Sequence, residues 1–288
     1  MGLVRCDWST QPAPEQSLVI EAFLETGTPL PPLTLRQTQP LSSSDSLGPP
    51  ATGAEATLVL DGRTVRYTES GPGRYVPDTA LVVPPRTPWR LTVRWAGTTA
   101  RAEGRTPPPV EVQEVCVDVP EEPVRAVQVD SLRRDSLDIP ADQGYLYPIT
   151  VTVQWTDAPP PVPATYWVRA QLRPDASPFP SEVVEFFLEP AAIQREDRFE
   201  QRNGTRHWQG VYAVPVDSSE AFLPEHDLTT ALVRGDTAFA SFAQTRTDPD
   251  RREPLSNVDG ALGVALAVAV DSLTRTIGPE TNPCQSPQ

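Results

Sequence analysis

Proline sets the first limit on this chain: it occupies 35 of the 288 positions, from Pro12 to Pro287. Inside a helix, proline removes a backbone donor and clashes with the preceding turn, at a cost of about 3 kcal/mol. Prolines spread in this way exclude long helices and favour short strands joined by rigid turns. Proline and glycine together make up 51 residues (35 and 16), below the roughly 25–30% that marks low-complexity chains. Hydrophobic residues at 38% are enough for real cores. The expectation is a globular, mainly β protein.

The first half reads as an immunoglobulin-like β-sandwich over residues 17–110, behind a polar tether at residues 1–16. Leu18, Ile20, Ala22 and Leu24 alternate along one strand, and Leu33 to Arg36 forms a shorter one. Ala56–Leu60 and Thr64–Thr68 flank Asp61-Gly62, a strong two-residue hairpin signal. Gly71-Pro72-Gly73 turns the chain into Arg74-Tyr75-Val76, and Trp89–Trp95 returns through Ala96-Gly97 into Thr98–Ala102. About seven short strands in roughly 100 residues is the immunoglobulin-like pattern.

Residues 111–288 read as a larger β-sandwich or barrel-like domain. Val110–Val119 crosses into this half, and strands are expected at Pro148–Trp155, Tyr166–Leu172, Glu182–Leu188, His207–Val216 and Thr229–Arg234. Asp236 can cap a short helix through Ala243, with a strand as the alternative there. A polar turn at Asn257-Val258-Asp259-Gly260 leads into Ala261–Val270, a run without charge, ended by Asp271. It is too short to span a membrane, which takes roughly 20 apolar residues. It reads as a strand buried on both faces that closes the second domain near 263–270.

The formal charge is −14, and all 24 basic residues are arginine. A duplex-binding surface needs clustered cations, so nucleic acid is not an expected partner. The cysteines Cys6, Cys116 and Cys284 lack zinc-site spacing. A Cys116–Cys284 disulfide would tie the C-terminus to the start of the second domain and suit an oxidising compartment; two separate thiols is the alternative. The first five residues are too short for a charged region plus an apolar one, so an exported form is expected to start upstream of Met1.

Catalytic patterns are thin. His207 and His226 are the only histidines, and no G-x-S-x-G elbow accompanies them. His207 reads as structural or at the surface, and His226 as part of an exposed loop. Asp248-Pro249-Asp250 lacks the glycine and closing glutamate of a calcium loop. Asn203-Gly204-Thr205 fits a three-residue glycosylation pattern. No cofactor or metal site is assigned. Trp155, Trp167 and Trp208 offer a binding platform if exposed together; packing in a core is the other reading.

Several segments in order carry a resemblance: a cysteine ahead of Val19–Leu24, then Gly53-Ala54 to Asp61-Gly62, Gly73-Arg74-Tyr75 and Trp89–Val93. Trp208–Tyr212 follows, and last come Pro254, Asn257, Gly260 and Gly263, similar to a closing family motif. Together they resemble an uncharacterised, domain-of-unknown-function family of Bacteroidetes-type cell-surface lipoproteins, typically encoded beside TonB-dependent outer-membrane receptors. The resemblance implies an outer-membrane, lipid-anchored envelope protein with Cys6 as its acylated residue. It further implies a non-enzymatic accessory subunit of a TonB-dependent β-barrel transporter. The alternative is a stand-alone binding or adhesion module for a peptide, glycan or metal.

Overall fold

The computed structural model describes residues 17–39, 48–125, 145–156, 165–174, 200–202, 205–246, 256–279 and 284–285. The fold is mainly β and sandwich-like, without a closed barrel. The first half supplies β1 (Leu18–Glu25), β2 (Leu33–Gln37), β3 (Glu55–Leu60), β4 (Arg63–Gly71), β5 (Arg74–Pro77), β6 (Pro88–Trp95) and β7 (Thr98–Arg105). The second supplies β8 (Val112–Asp118), β9 (Val124–Arg125), β10 (Tyr145–Thr156), β11 (Thr165–Pro174), β12 (Glu200–Arg202) and β13 (Thr205–Val216). After them come β14 (His226–Gly235), the helix α1 (Thr237–Arg246), β15 (Leu262–Ile277) and β16 (Cys284–Gln285). No helix among the described residues is long and apolar enough to cross a membrane.

Local chemistry explains the hairpins. Asp61 and Gly62 both take positive φ, 52° and 72°, as the tight primed turn between two right-twisted strands requires. β3 and β4 then pair from Leu60↔Arg63 to Ala56↔Tyr67, which aims Ala56, Leu58, Leu60, Val65 and Tyr67 into one core. Asp236 caps α1, its Oδ1 accepting from the Phe239 N–H at 2.8 Å. The helix forms here rather than the alternative strand, with that cap at its start and Phe239 packed on Val264 and Leu266.

The strands make two sheets. A ten-stranded sheet runs β11-β14-β15-β1-β2-β5-β4-β3-β6-β7, and a second runs β12-β13-β10-β8-β16 with β9 alongside β10. The first seven strands roll around a core that includes Leu18, Ile20, Leu35, Tyr75, Trp89 and Val93. The second sheet packs on the β11-β14-β15 end of the long one, with Val151, Val153, Trp155 and Tyr212 meeting Tyr166, Val168, Leu228 and Leu232.

β15 is where the structure departs most from the sequence reading. The expected strand of about ten residues is one of 16, because the apolar run passes directly into the half-buried alternation Asp271–Ile277. It does not serve the second domain alone. Along Leu262–Val268 it lies parallel to Val19–Glu25 of β1; from Val268 to Ile277 it lies antiparallel to β14. One face of this strand floors both cores: Ala265 and Ala267 belong to the first, Leu273 and Ile277 to the second. Between them the Asp271 carboxylate accepts from the Val112 N–H at 2.7 Å, fixing the start of β8. Helix α1 covers the opposite face, where Phe239 packs on Val264 and Leu266. Burial on both faces is therefore confined to Val264–Ala267, whereas Leu262 is 47% and Val270 37% exposed.

Candidate functional site

Cys6, Pro254, Asn203, Asp248, Asp250 and the expected strand at 182–188 lie outside the described residues. The other residues singled out above do not converge on one place. Trp155 is fully buried and stacks obliquely on Tyr166, ring centroids 5.4 Å apart. Trp208, 5% exposed, lies in the same core. Trp167 sits on the other face of the long sheet, 6.2 Å from the Phe239 ring. The exposed tryptophan platform is thereby corrected: alternation along β10, β11 and β13 turns two of the rings inward and one towards α1.

The histidines part as well. His207 lies on β13, opposite Gln154 of β10 and Glu200 of β12. His226 is buried, contrary to the exposed loop expected for it, because it opens β14 and faces the core there. Its Nδ1 lies 2.6 Å from the Pro224 carbonyl oxygen. That contact orients the imidazole towards backbone.

Asn257, Gly260 and Gly263 do come together, at the seam where the first roll meets its last strand. In the parallel pairing, Val268 turns its carbonyl towards β1 and accepts from Thr26 N–H at 2.8 Å. By alternation, Gly263, Ala265 and Ala267 aim their backbone groups the other way, past the end of β14, whose last residue Gly235 pairs with Val268. Side chains stand in for the missing neighbour. The Asn257 amide donates to the Ala265 carbonyl at 2.5 Å and accepts from the Ala265 N–H at 2.9 Å. Its own N–H reaches the Gly263 carbonyl at 3.3 Å. Two residues on, the Asp236 N–H donates to the Ala267 carbonyl, and the Asp236 carboxylate accepts from the Ala267 N–H, each at 3.2 Å.

The same turn grips the far edge of the roll. Asp259 and Arg101 of β7 exchange two backbone hydrogen bonds of 2.8 Å, and Val258, 7% exposed, fills the core beneath. A Cβ on Gly260 (φ +76°) would collide with the Thr99 carbonyl. Gly263 (φ +111°) leaves no room for a Cβ, which would lie 2.7 Å from the Ile20 nitrogen. These motif residues are thus a latch between β7 and β15, built from backbone complementarity.

An amide is the one side chain that mimics a peptide group, offering a donor and an acceptor side by side. Asn257→Asp turns an oxygen towards the Ala265 carbonyl. It is expected to lower stability by about 1–3 kcal/mol, and Asn257→Ala by a similar amount, read as a fall in the urea midpoint. Equal midpoints for all three proteins would remove the latch from the account.

Burial raises the Asp236 carboxyl above its ordinary value, only partly offset by the N–H groups of Phe239, Ala267 and Ala238. A raised folded-state value means that the folded protein holds this proton more tightly than the unfolded one. The resulting stability is present below the ordinary value of 3.8 and is lost as pH rises through the raised one. Asp236→Asn cannot titrate, so the stability of the native protein relative to this variant is expected to fall between acid and neutral pH. Paired denaturation curves would show a pH-independent gap if the shift were absent.

Two further features lie apart from the seam. Cys116 and Cys284 are joined by a disulfide between the paired strands β8 and β16, and Glu114 stands beside them. A hollow of about 560 Å³ opens at one end of the first roll, lined by Val59, Gly62, Pro88, Trp89, Arg90, Glu103 and Gly104. On its rim Arg90 and Glu103 form a largely exposed ion pair of 3.1 Å, of the kind that contributes little stability.

Against known proteins, a family model described as a domain of unknown function, DUF4249, matches residues 6–227. No curated protein matches the chain.

Proposed function

The chain belongs to the DUF4249 family, and from that premise we propose that it is a non-enzymatic accessory protein of the cell envelope. In this reading it is lipid-anchored at Cys6 and docks on an outer-membrane β-barrel of the TonB-dependent type. The observation that carries the reading is the stiffness of the body. One strand without interruption floors both cores, and a disulfide fixes β16 to β8. A chain built in this way presents fixed surfaces to a partner. The disulfide also favours an oxidising compartment, and the resemblance of the ordered segments supplies the barrel as the partner class.

The test is capture of the full chain from native membranes in mild detergent. Co-purification of a β-barrel protein is the expected result, and recovery of the chain alone counts against the docking role. Mass spectrometry of the same material should place a diacylglyceryl group on Cys6, lost in Cys6→Ser; an unmodified Cys6 removes the anchor from the proposal. The second reading, a stand-alone binding module, is favoured only by the hollow beside Trp89. It predicts that Val59→Trp, a change at an exposed residue lining that hollow, abolishes ligand retention but leaves barrel capture intact.

A further inference from the structure

We propose that the Cys116–Cys284 clasp has a second closed form: after reduction, its two thiolates and the Glu114 carboxylate hold one zinc-class divalent cation. The residues are placed for it. Glu114 and Cys116 are two positions apart on β8 and share a face of that strand. Cys284 on β16 is in register with Cys116. One ligand atom from each of the three lies within 4.8 Å of the others, close enough that, once the sulfurs part on reduction, small side-chain shifts bring all three donors onto a single ion.

The site is reachable, since Cys284 is exposed and both Cys116 and Glu114 are half-buried. Two thiolates and one carboxylate select soft or borderline cations such as Zn²⁺ and Cd²⁺ over Mg²⁺ or Ca²⁺. Three protein ligands leave a fourth position for water. The formal charge of −14 also favours cation approach.

The chemistry balances with a named reductant. A phosphine takes the disulfide to two thiols, becoming the phosphine oxide, with water supplying the oxygen and the two hydrogens. The cation then displaces the two thiol protons, so binding weakens as pH falls. In the oxidised protein the sulfurs are bonded to each other and the site is closed to metal. β16 is only two residues long, so a cation would keep the C-terminus on β8 when the disulfide is open.

The experiment uses the full chain carrying Cys6→Ser, which removes the one other thiol. The phosphine-reduced protein is titrated with Cd²⁺ and followed by the ultraviolet thiolate-to-cadmium band, with Zn²⁺ then added as competitor. Expected are saturation at one equivalent, displacement by Zn²⁺ and at least a tenfold weaker Kd in Glu114→Gln. The unreduced protein should give no band, and Zn²⁺ should raise the Tm of the reduced protein alone. Absence of a band at saturating Cd²⁺ overturns the proposal. So does an unchanged Kd in Glu114→Gln, which would leave a two-thiol site without the carboxylate. Glu114 is half-buried on a strand that keeps its pairing to β10, so the variant is expected to fold; its circular dichroism spectrum checks this.

Discussion

Gly263→Ala is expected to cost on the order of 3 kcal/mol or more, and to leave much of the expressed chain insoluble. Two costs act together. The residue holds a φ of +111°, and a Cβ there meets the backbone of Ile20, its nitrogen 2.7 Å away and its carbonyl carbon 2.9 Å away. The obstacle is backbone in the adjacent parallel strand, which cannot rotate aside as a long side chain would. Relief requires β1 and β15 to separate where Ile20↔Gly263 pairs. Amide exchange should therefore quicken first along 19–25 and 262–268. A control at Ala261, partly buried beside the same core, should lose far less on change to Ser. If Gly263→Ala folds with the native midpoint, β15 does not pack against β1 as described.

Removal of the disulfide ranks second. Its 168-residue separation corresponds to about 5 kcal/mol of loop-closure entropy, with losses of about 2–5 kcal/mol typical of native disulfides. Cys284→Ser is expected to lower Tm by roughly 5–15 °C at this chain length. Reduction of the native protein should lower it equally, with no further effect of reductant on the variant. The masses of alkylated and unalkylated protein separate the two states. An unchanged Tm on reduction would show that β16 adds nothing to the body.

Much of the first half was legible because its signals are local. Asp61-Gly62 dictates a primed turn, and the alternation around it dictates which residues face the core. The Asp236 cap was legible for the same reason. The partner of Leu262–Val268 was not: a parallel pair across more than half the chain leaves no mark in either segment, and a run apolar on both faces fits any covered strand. Nor does the sequence say that α1 will cover one side of Leu266, which makes a fully apolar strand tolerable outside the two cores. The tryptophans left a platform and a core both open for a related reason. Orientation depends on strand register, which a count cannot supply. Asn257 was readable as a turn former; its pairing with Ala265 depends on β14 ending at Gly235, opposite Val268.

The shared strand also imposes an order on synthesis. When β7 leaves the ribosome, the first roll lacks the strand that pairs with β1, because Val19 must wait for Leu262. Until then β1 is an open edge beside exposed Leu and Ile side chains, the arrangement most prone to pair with another chain. The first core is therefore completed only when Val258, Ala265 and Ala267 arrive, and the edge of β1 is expected to stay open until then. A nascent chain stopped before residue 262 should be cut by protease more readily along Val19–Glu25 than the complete protein.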